Sequence, residues 1–138
     1  MIDRDIVYAK VGIIQRSLRR IKETTAFDPK ALENIDHQDI FVLNLQRAVQ
    51  ATIDLAAHVV ASEGLGIPQE LKEHFTLLEQ SGILVPALAE HLKKMVGFRN
   101  IAVHEYQELD VSSLKSILTM NLKDLEDFYA IIIRHFGM

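Results

Sequence analysis

Ile40-Phe-Val-Leu-Asn44-Leu-Gln-Arg47-Ala-Val-Gln-Ala-Thr-Ile-Asp54-Leu-Ala-Ala-His58-Val-Val-Ala61 is the stretch on which the fold turns. It is apolar around most of the circumference of a helix, and such a helix is either the centre of a bundle or shared with a subunit interface. Its polar exceptions are Asn44, Arg47, Asp54 and His58. At about 100° per residue they fall within an arc of roughly 80°, one polar stripe on an otherwise buried rod. Arg47 and Asp54 lie about 10 Å apart along the axis, too far to pair as helix neighbours. Each needs a partner from elsewhere. The stripe has two readings, a buried network that sets helix register or the wall of a functional cleft, and the residues alone leave both open.

Working outward, further helical segments appear. From about Asp3 to Thr24, Ile6, Ala9, Ile13, Ile14, Leu18 and Ile21 recur at helical spacing. Asp28-Pro29 starts a short turn or helix, with Asp as cap and Pro in the first turn. Asp36 is positioned to cap the apolar helix, and Gly64 followed by Gly-Ile-Pro marks its end near Glu63. Leu71, Phe75, Leu77 and Leu78 make a shorter helix stopped at Ser81-Gly82, and Pro86 opens another through Leu88, Leu92, Met95 and Val96. The last long helix carries Leu114, Ile117, Leu118, Leu122, Leu125, Phe128, Ile131 and Ile132, with a cap expected at Ser112 or Ser113. No alternation of period two persists, so no sheet is expected. The expected fold is all-α, an antiparallel bundle of four principal helices plus a short one, in a single domain over residues 1–138.

The bulk properties agree. The chain has 138 residues, 49% hydrophobic and 25% charged, which suits one folded domain. It has no cysteine, which excludes disulfides and thiolate metal sites. Charges in the first ten residues argue against a signal peptide, and no run approaches the roughly 18 apolar residues of a membrane span, so the expected location is the cytoplasm. The net charge of -4 leaves only local patches for a phosphate ligand. Arg16, Arg19, Arg20 and Lys22 read as a solvated face, whereas Lys93 and Lys94 lie just ahead of the most chemically suggestive segment.

That segment is Gly97-Phe-Arg99-Asn100-Ile-Ala-Val-His104-Glu-Tyr106. It brings together a fixed cation, an imidazole and a phenol. Cleavage of RNA needs a base near the ribose 2′-hydroxyl, an acid for the departing 5′-oxygen and positive charge for the crowded phosphorane. Histidine, with an ordinary pKa of about 6.5, serves either proton transfer, and arginine supplies charge and a bidentate phosphate contact. No metal or other cofactor is required. On a straight helix Arg99 and His104 stand about 140° apart, with Tyr106 within about 20° of Arg99. Either the helix loosens between them or a two-fold dimer completes the site. Taken alone, an Arg and a His at this spacing also fit an ordinary surface pair. A zinc helix is disfavoured, because the second histidine of a His-Glu-x-x-His pattern is missing after His104, and Gly64-Leu-Gly66 lacks the context of a nucleotide-binding loop.

The run Arg99-Asn100-Ile-Ala-Val-His104-Glu-Tyr106 resembles the motif of HEPN-domain toxins of the HepT type: arginine, four residues, histidine, one residue, tyrosine. Asn44 to His58 resembles the second helix of that group, and Ser81-Gly-Ile-Leu precedes the fourth helix as in its members. The resemblance implies a metal-independent endoribonuclease, the toxin of a type VII-like toxin-antitoxin pair, with transfer RNA as one candidate substrate. It implies that Arg99 and His104 are catalytic and Asn100 supporting. It further implies that Tyr106 accepts AMP from an MNT-type nucleotidyltransferase antitoxin, and that the toxin forms a homodimer around a shared groove. Asp54 is expected to support the site by contacting Arg99 or His104, with Asn44, Arg47 and His58 lining the cleft. The competing reading is a non-catalytic helical dimer that binds a nucleotidyltransferase partner or a nucleotide.

Overall fold

A computed structural model describes the backbone at residues 1–104 and 110–138 and the side chains at 1–100 and 110–138. Helix α1 (Arg4–Thr25) starts where the Asp3 carboxylate accepts hydrogen bonds from the N–H groups of Asp5 and Ile6. It ends at Ala26, whose left-handed backbone returns its N–H to the Lys22 carbonyl. The buried stripe of α1 is Val7, Val11, Ile14, Leu18 and Ile21. This corrects the stripe expected from Ile6, Ala9 and Ile13. Ile6 is 39% exposed and Ile13 only partly covered, because the Val7 stripe continues at unbroken spacings of three and four into Leu18 and Ile21.

A 3-10 turn (Pro29–Glu33), capped by Asp28, leads into α2 (Ile35–Ser62). The cap of α2 is Asn34, whose side chain accepts the His37 N–H at 3.1 Å, and Asp36 sits inside the first turn. Both residue types are competent caps, and the turn geometry selects the earlier one. At the other end the chain leaves through Gly64, whose φ of 61° is a left-handed conformation that suits glycine. Helix α2 buries Phe41, Val42, Leu45, Val49, Ile53, Leu55, Val59 and Val60, which share a broad face of roughly 160°; the opposite side, with Leu43 and Arg47 exposed, is less covered than the apolar sequence suggests. Helix α2 is the centre of the bundle.

Helix α3 (Glu73–Gln80) is the short one and buries Phe75 and Leu78, while Leu71 falls outside it and is exposed. Helix α4 (Pro86–His104) begins on its proline and buries Leu88, Leu92, Met95 and Val96. The final long helix is interrupted. Helix α5 (Val111–Ser116) passes through a π-helical turn (Ile117–Asn121) into α6 (Leu122–His135). Its cap is Asp110, which accepts the Ser113 N–H at 2.6 Å, in place of the serines expected to cap it. Helices α1, α2, α4 and the α5–α6 unit are the four principal members of an all-α bundle. Phe75 and Phe128 meet edge to face in its core, ring centroids 5.8 Å apart. Among the described residues no helix is long and apolar enough to cross a membrane.

Helices α1 and α2 run antiparallel, and the contacts between them show the register. The amino group of Met1 donates to the Ser62 carbonyl, the Asp3 N–H donates to His58 Nε2 at 3.0 Å, and Lys10 reaches Asp54. This register carries Ile13 of α1 to the middle of α2, beside Arg99 of α4.

Candidate functional site

Three helices converge on a pocket of about 340 Å³ lined by Ile13, Gln46, Arg47, Gln50, Ala51, Asp54 and Arg99. The five α2 residues fall at spacings of three and four, so a single helix face forms most of the wall. Helix α1 adds the apolar Ile13 side chain, and α4 adds the Arg99 guanidinium.

Asp54 organises the wall. Its Oδ2 is 3.3 Å from Lys10 Nζ, and its Oδ1 accepts a 2.9 Å hydrogen bond from Gln50 Nε2. The partner that the sequence reading required for Asp54 therefore comes from α1. Of the two expected contacts of Asp54, the one with Arg99 is not made, its oxygens being turned to Lys10 and Gln50, and the one with His104 lies outside the described residues. Arg99 is half-buried, and its Nη1 donates to Asn100 Oδ1 at 3.1 Å, so Asn100 orients the guanidinium from the adjacent position. Arg47 is exposed at the pocket. Among the described residues, Lys10, Arg47 and Arg99 outnumber the carboxylate of Asp54, so this part of an acidic chain is locally basic.

The polar stripe of α2 is divided between several tasks. From Asn44 to His58 it spans about 21 Å of helix, longer than one pocket. Asn44, 5% exposed, donates to the Ile40 carbonyl of its own helix, and His58 ties down the start of α1. Only Arg47 and Asp54 of the four line the pocket with Arg99.

The backbone of α4 is helical through His104. The loosening that would have turned Arg99 and His104 to one side is absent between them, and the two positions remain about 140° apart around the axis. The imidazole of His104 and the whole of Tyr106 lie outside the described residues. Among the described residues, no three His, Asp or Glu side chains gather as a metal site.

Lys10, Gln46 and Gln50 were not singled out by sequence reasoning, and Ile13 was read only as a core residue. A signal for the glutamines was present, since Gln46, Gln50 and Asp54 follow one another at intervals of four. Nothing comparable marked Lys10 and Ile13, which arrive through helix packing. Elsewhere, Arg16, Arg19, Arg20 and Lys22 are all exposed, as expected of a solvated face, and Lys93 pairs with Glu90 at 3.2 Å. His91 is exposed, and its ring still links α4 to α6 through Asp124 at 3.3 Å.

A family model described as ribonuclease HepT-like matches residues 14–132. The mRNA nuclease HepT of Shewanella oneidensis is 40% identical over 128 residues, covering 93% of this chain and 96% of that protein. The tRNA nuclease HepT of Aphanizomenon flos-aquae is 29% identical over 120 residues, covering 86% of this chain and 81% of that protein. In three dimensions the chain is similar to a tri-AMPylated Shewanella oneidensis HEPN toxin solved in complex with an MNT antitoxin. The TM-score is 0.88 at 40% identity, with 94% of this chain and 98% of that one covered.

Proposed function

The chain belongs to the ribonuclease HepT-like family, and from that premise we propose that it is an endoribonuclease toxin held in check by an MNT-type nucleotidyltransferase antitoxin. The observation that carries the reading is the placement of the Arg99 guanidinium, oriented by Asn100, on a locally basic pocket of an otherwise acidic molecule.

The chemistry follows from the residue types. An imidazole of His104 takes the proton of a ribose 2′-hydroxyl as the 2′-oxygen bonds to phosphorus. Arg99 stabilises the negative charge that builds on the phosphorane oxygens. The P–O5′ bond then breaks, and a protonated imidazole supplies the 5′-oxygen with its proton. The products are a 2′,3′-cyclic phosphate and a free 5′-hydroxyl. No step calls for a metal ion or another cofactor. Because α4 stays helical from Arg99 to His104, a second copy of the chain related by a two-fold axis is the natural way to bring acid, base and cation to one phosphate. The working unit is thus a homodimer of one domain, residues 1–138, in the cytoplasm.

Tyr106 is the control point. Its phenolic oxygen attacks the α-phosphorus of ATP on the antitoxin, pyrophosphate leaves and the phenol proton is lost. The AMP so attached puts bulk and negative charge two residues from His104 and excludes RNA by sterics and repulsion together. The relatives bear names for messenger and for transfer RNA cleavage, so single-stranded regions of either are the substrates to try first.

The deciding experiment is RNA cleavage in EDTA by folded, dimeric, unmodified protein. Wild type cuts, and His104→Ala and Arg99→Ala lose at least about a hundredfold in rate. Intact RNA after incubation with such wild-type protein would give preference to the non-catalytic binding dimer.

A further inference from the structure

We propose that a second copy of this chain docks on the uncovered face of α2 at Asp39, Leu43 and Arg47, with the two-fold axis at Leu43 and Arg47 of each copy paired with Asp39 of the other. The inference rests on the nuclease reading above, which calls for a second copy, and adds to it the face through which that copy binds and the residues that hold it.

Asp39, Leu43 and Arg47 follow one another at intervals of four, so they form one line along α2, and all three are exposed. That line stands about 160° around the helix from the middle of its buried face. It lies between α1, which reaches Asp54 through Lys10, and α4, which brings Arg99. Leu43, 46% exposed, thus has an anion one turn before it and a cation one turn after it. Such an order is self-complementary. When two copies of the helix cross antiparallel at Leu43, the two-fold axis sets residue 39 of each copy opposite residue 47 of the other, so the ion pair forms twice. Within one chain the two charges are about 12 Å apart along the helix, too far to pair. Among the described residues Arg47 makes no ion pair, and a carboxylate has room for the partner's guanidinium beside other donors. A hollow of about 390 Å³, lined by Asp39, Val42, Leu43 and Gln46, is placed to receive the partner's Leu43.

The same axis completes the site. His91 of α4 meets Asp124 of α6, and the start of α4 lies with Ile131 and Arg134, so these two helices are antiparallel. Lys115, just ahead of α6, reaches Glu33 at the start of α2. Helix α4 therefore runs against α2, and over the roughly 7 Å from Arg99 to His104 it descends from the level of Gln50 toward that of Leu43. A two-fold axis at Leu43 brings the motifs of both copies to the two sides of one groove. The Arg99 pocket of each copy opens beside that axis, since Gln46 borders both the pocket and the hollow. Arg47 has five N–H donors, so it holds the partner's Asp39 with two of them and keeps the others for phosphate.

The test is the mass of the folded, unmodified protein in solution, read by light scattering and sedimentation, beside a cleavage assay on single-stranded RNA in EDTA. Wild type should be a dimer. Leu43→Lys sets two ammonium groups together at the axis, and Arg47→Asp or Asp39→Arg sets like charges against each other in both pairs, so each should weaken the dimer by about tenfold or more. The double variant Asp39→Arg with Arg47→Asp should recover most of that loss. A contact within one chain cannot give this rescue, because the two positions do not reach each other. The chain has no cysteine, so Leu43→Cys should close a disulfide between copies under mild oxidation, whereas Glu126→Cys, exposed on α6, should not. Circular dichroism verifies that each variant is folded, and Leu43→Gln replaces Leu43→Lys if the latter is not. An undiminished dimer in Leu43→Lys and in both single charge variants, or no rescue in the double variant, overturns this face and leaves the dimeric nuclease standing. A monomeric wild type that cuts RNA overturns the face and the dimer together. Intact RNA beside a wild-type dimer that responds to these variants overturns the nuclease and leaves the face.

Discussion

Lys10 Nζ lies 3.3 Å from Asp54 Oδ2, so a single ion pair ties α1 to the face of α2 that borders Arg99. The two side chains are 31% and 38% exposed, and at that exposure solvent screens most of their attraction. A double-mutant cycle with Lys10→Ala and Asp54→Ala should give a coupling of about 0.5 kcal/mol in urea denaturation, and it should shrink in high salt. A coupling of several kcal/mol would mean that the pair is structural, not an orienting device for the pocket. Asp54→Asn should lower RNA cleavage by more than this small stability effect explains.

The edge-to-face packing of Phe75 on Phe128 joins the short helix to the last one in the fully buried core. Phe128→Ala leaves a void there and should cost about 3–5 kcal/mol. Urea midpoints would show it, and a loss below about 1 kcal/mol would mean that the core closes over the gap.

Asp110 makes one pH-dependent contribution to the fold. The Ser113 N–H, and after it the Ser113 hydroxyl, hold its carboxyl below the ordinary value of 3.8. With the folded value depressed, the contribution of Asp110 is present above the unfolded-chain value and is lost as the pH falls through the folded one. Wild type should therefore be more stable than Asp110→Ala at neutral pH, and the difference should close at strongly acidic pH. A gap of equal size at both would show that the carboxylate charge is irrelevant to the cap.

Co-expression with an MNT-type nucleotidyltransferase should add one or more AMP groups to the protein, read by intact mass. Tyr106→Phe should abolish the added mass, and the variant should remain toxic beside the antitoxin. Modification that persists in Tyr106→Phe would move the acceptor to another residue.

The limits of the helices were largely legible in the chain because the signals are local. Asp3, Pro86 and Gly64 act on backbone groups within a turn of themselves, and their effect needs no neighbour. The misread signals were equally local: Asn34 was passed over for Asp36, and Asp110 for Ser112 or Ser113, each a choice between competent caps a few residues apart. The phase of α1 was harder. Ile6, Ala9 and Ile13 make a plausible stripe beside the true one, and only the surface of α2 against them selects Val7 and Val11.

Composition and periodicity alone established an all-helical chain with an apolar central helix, and the Arg99, His104 and Tyr106 motif identified the chemistry by resemblance. Packing settled the rest. The polar stripe of α2 is a single line in projection, yet its members work at different heights: Asn44 within its own helix, Arg47 and Asp54 at the pocket, and His58 at the start of α1. Distance along an axis separates them, and the register of α1 supplies Lys10 and Ile13 to one height and Asp3 to another. A helical repeat specifies a direction around an axis. Which residue of another helix waits there depends on how the whole core closes.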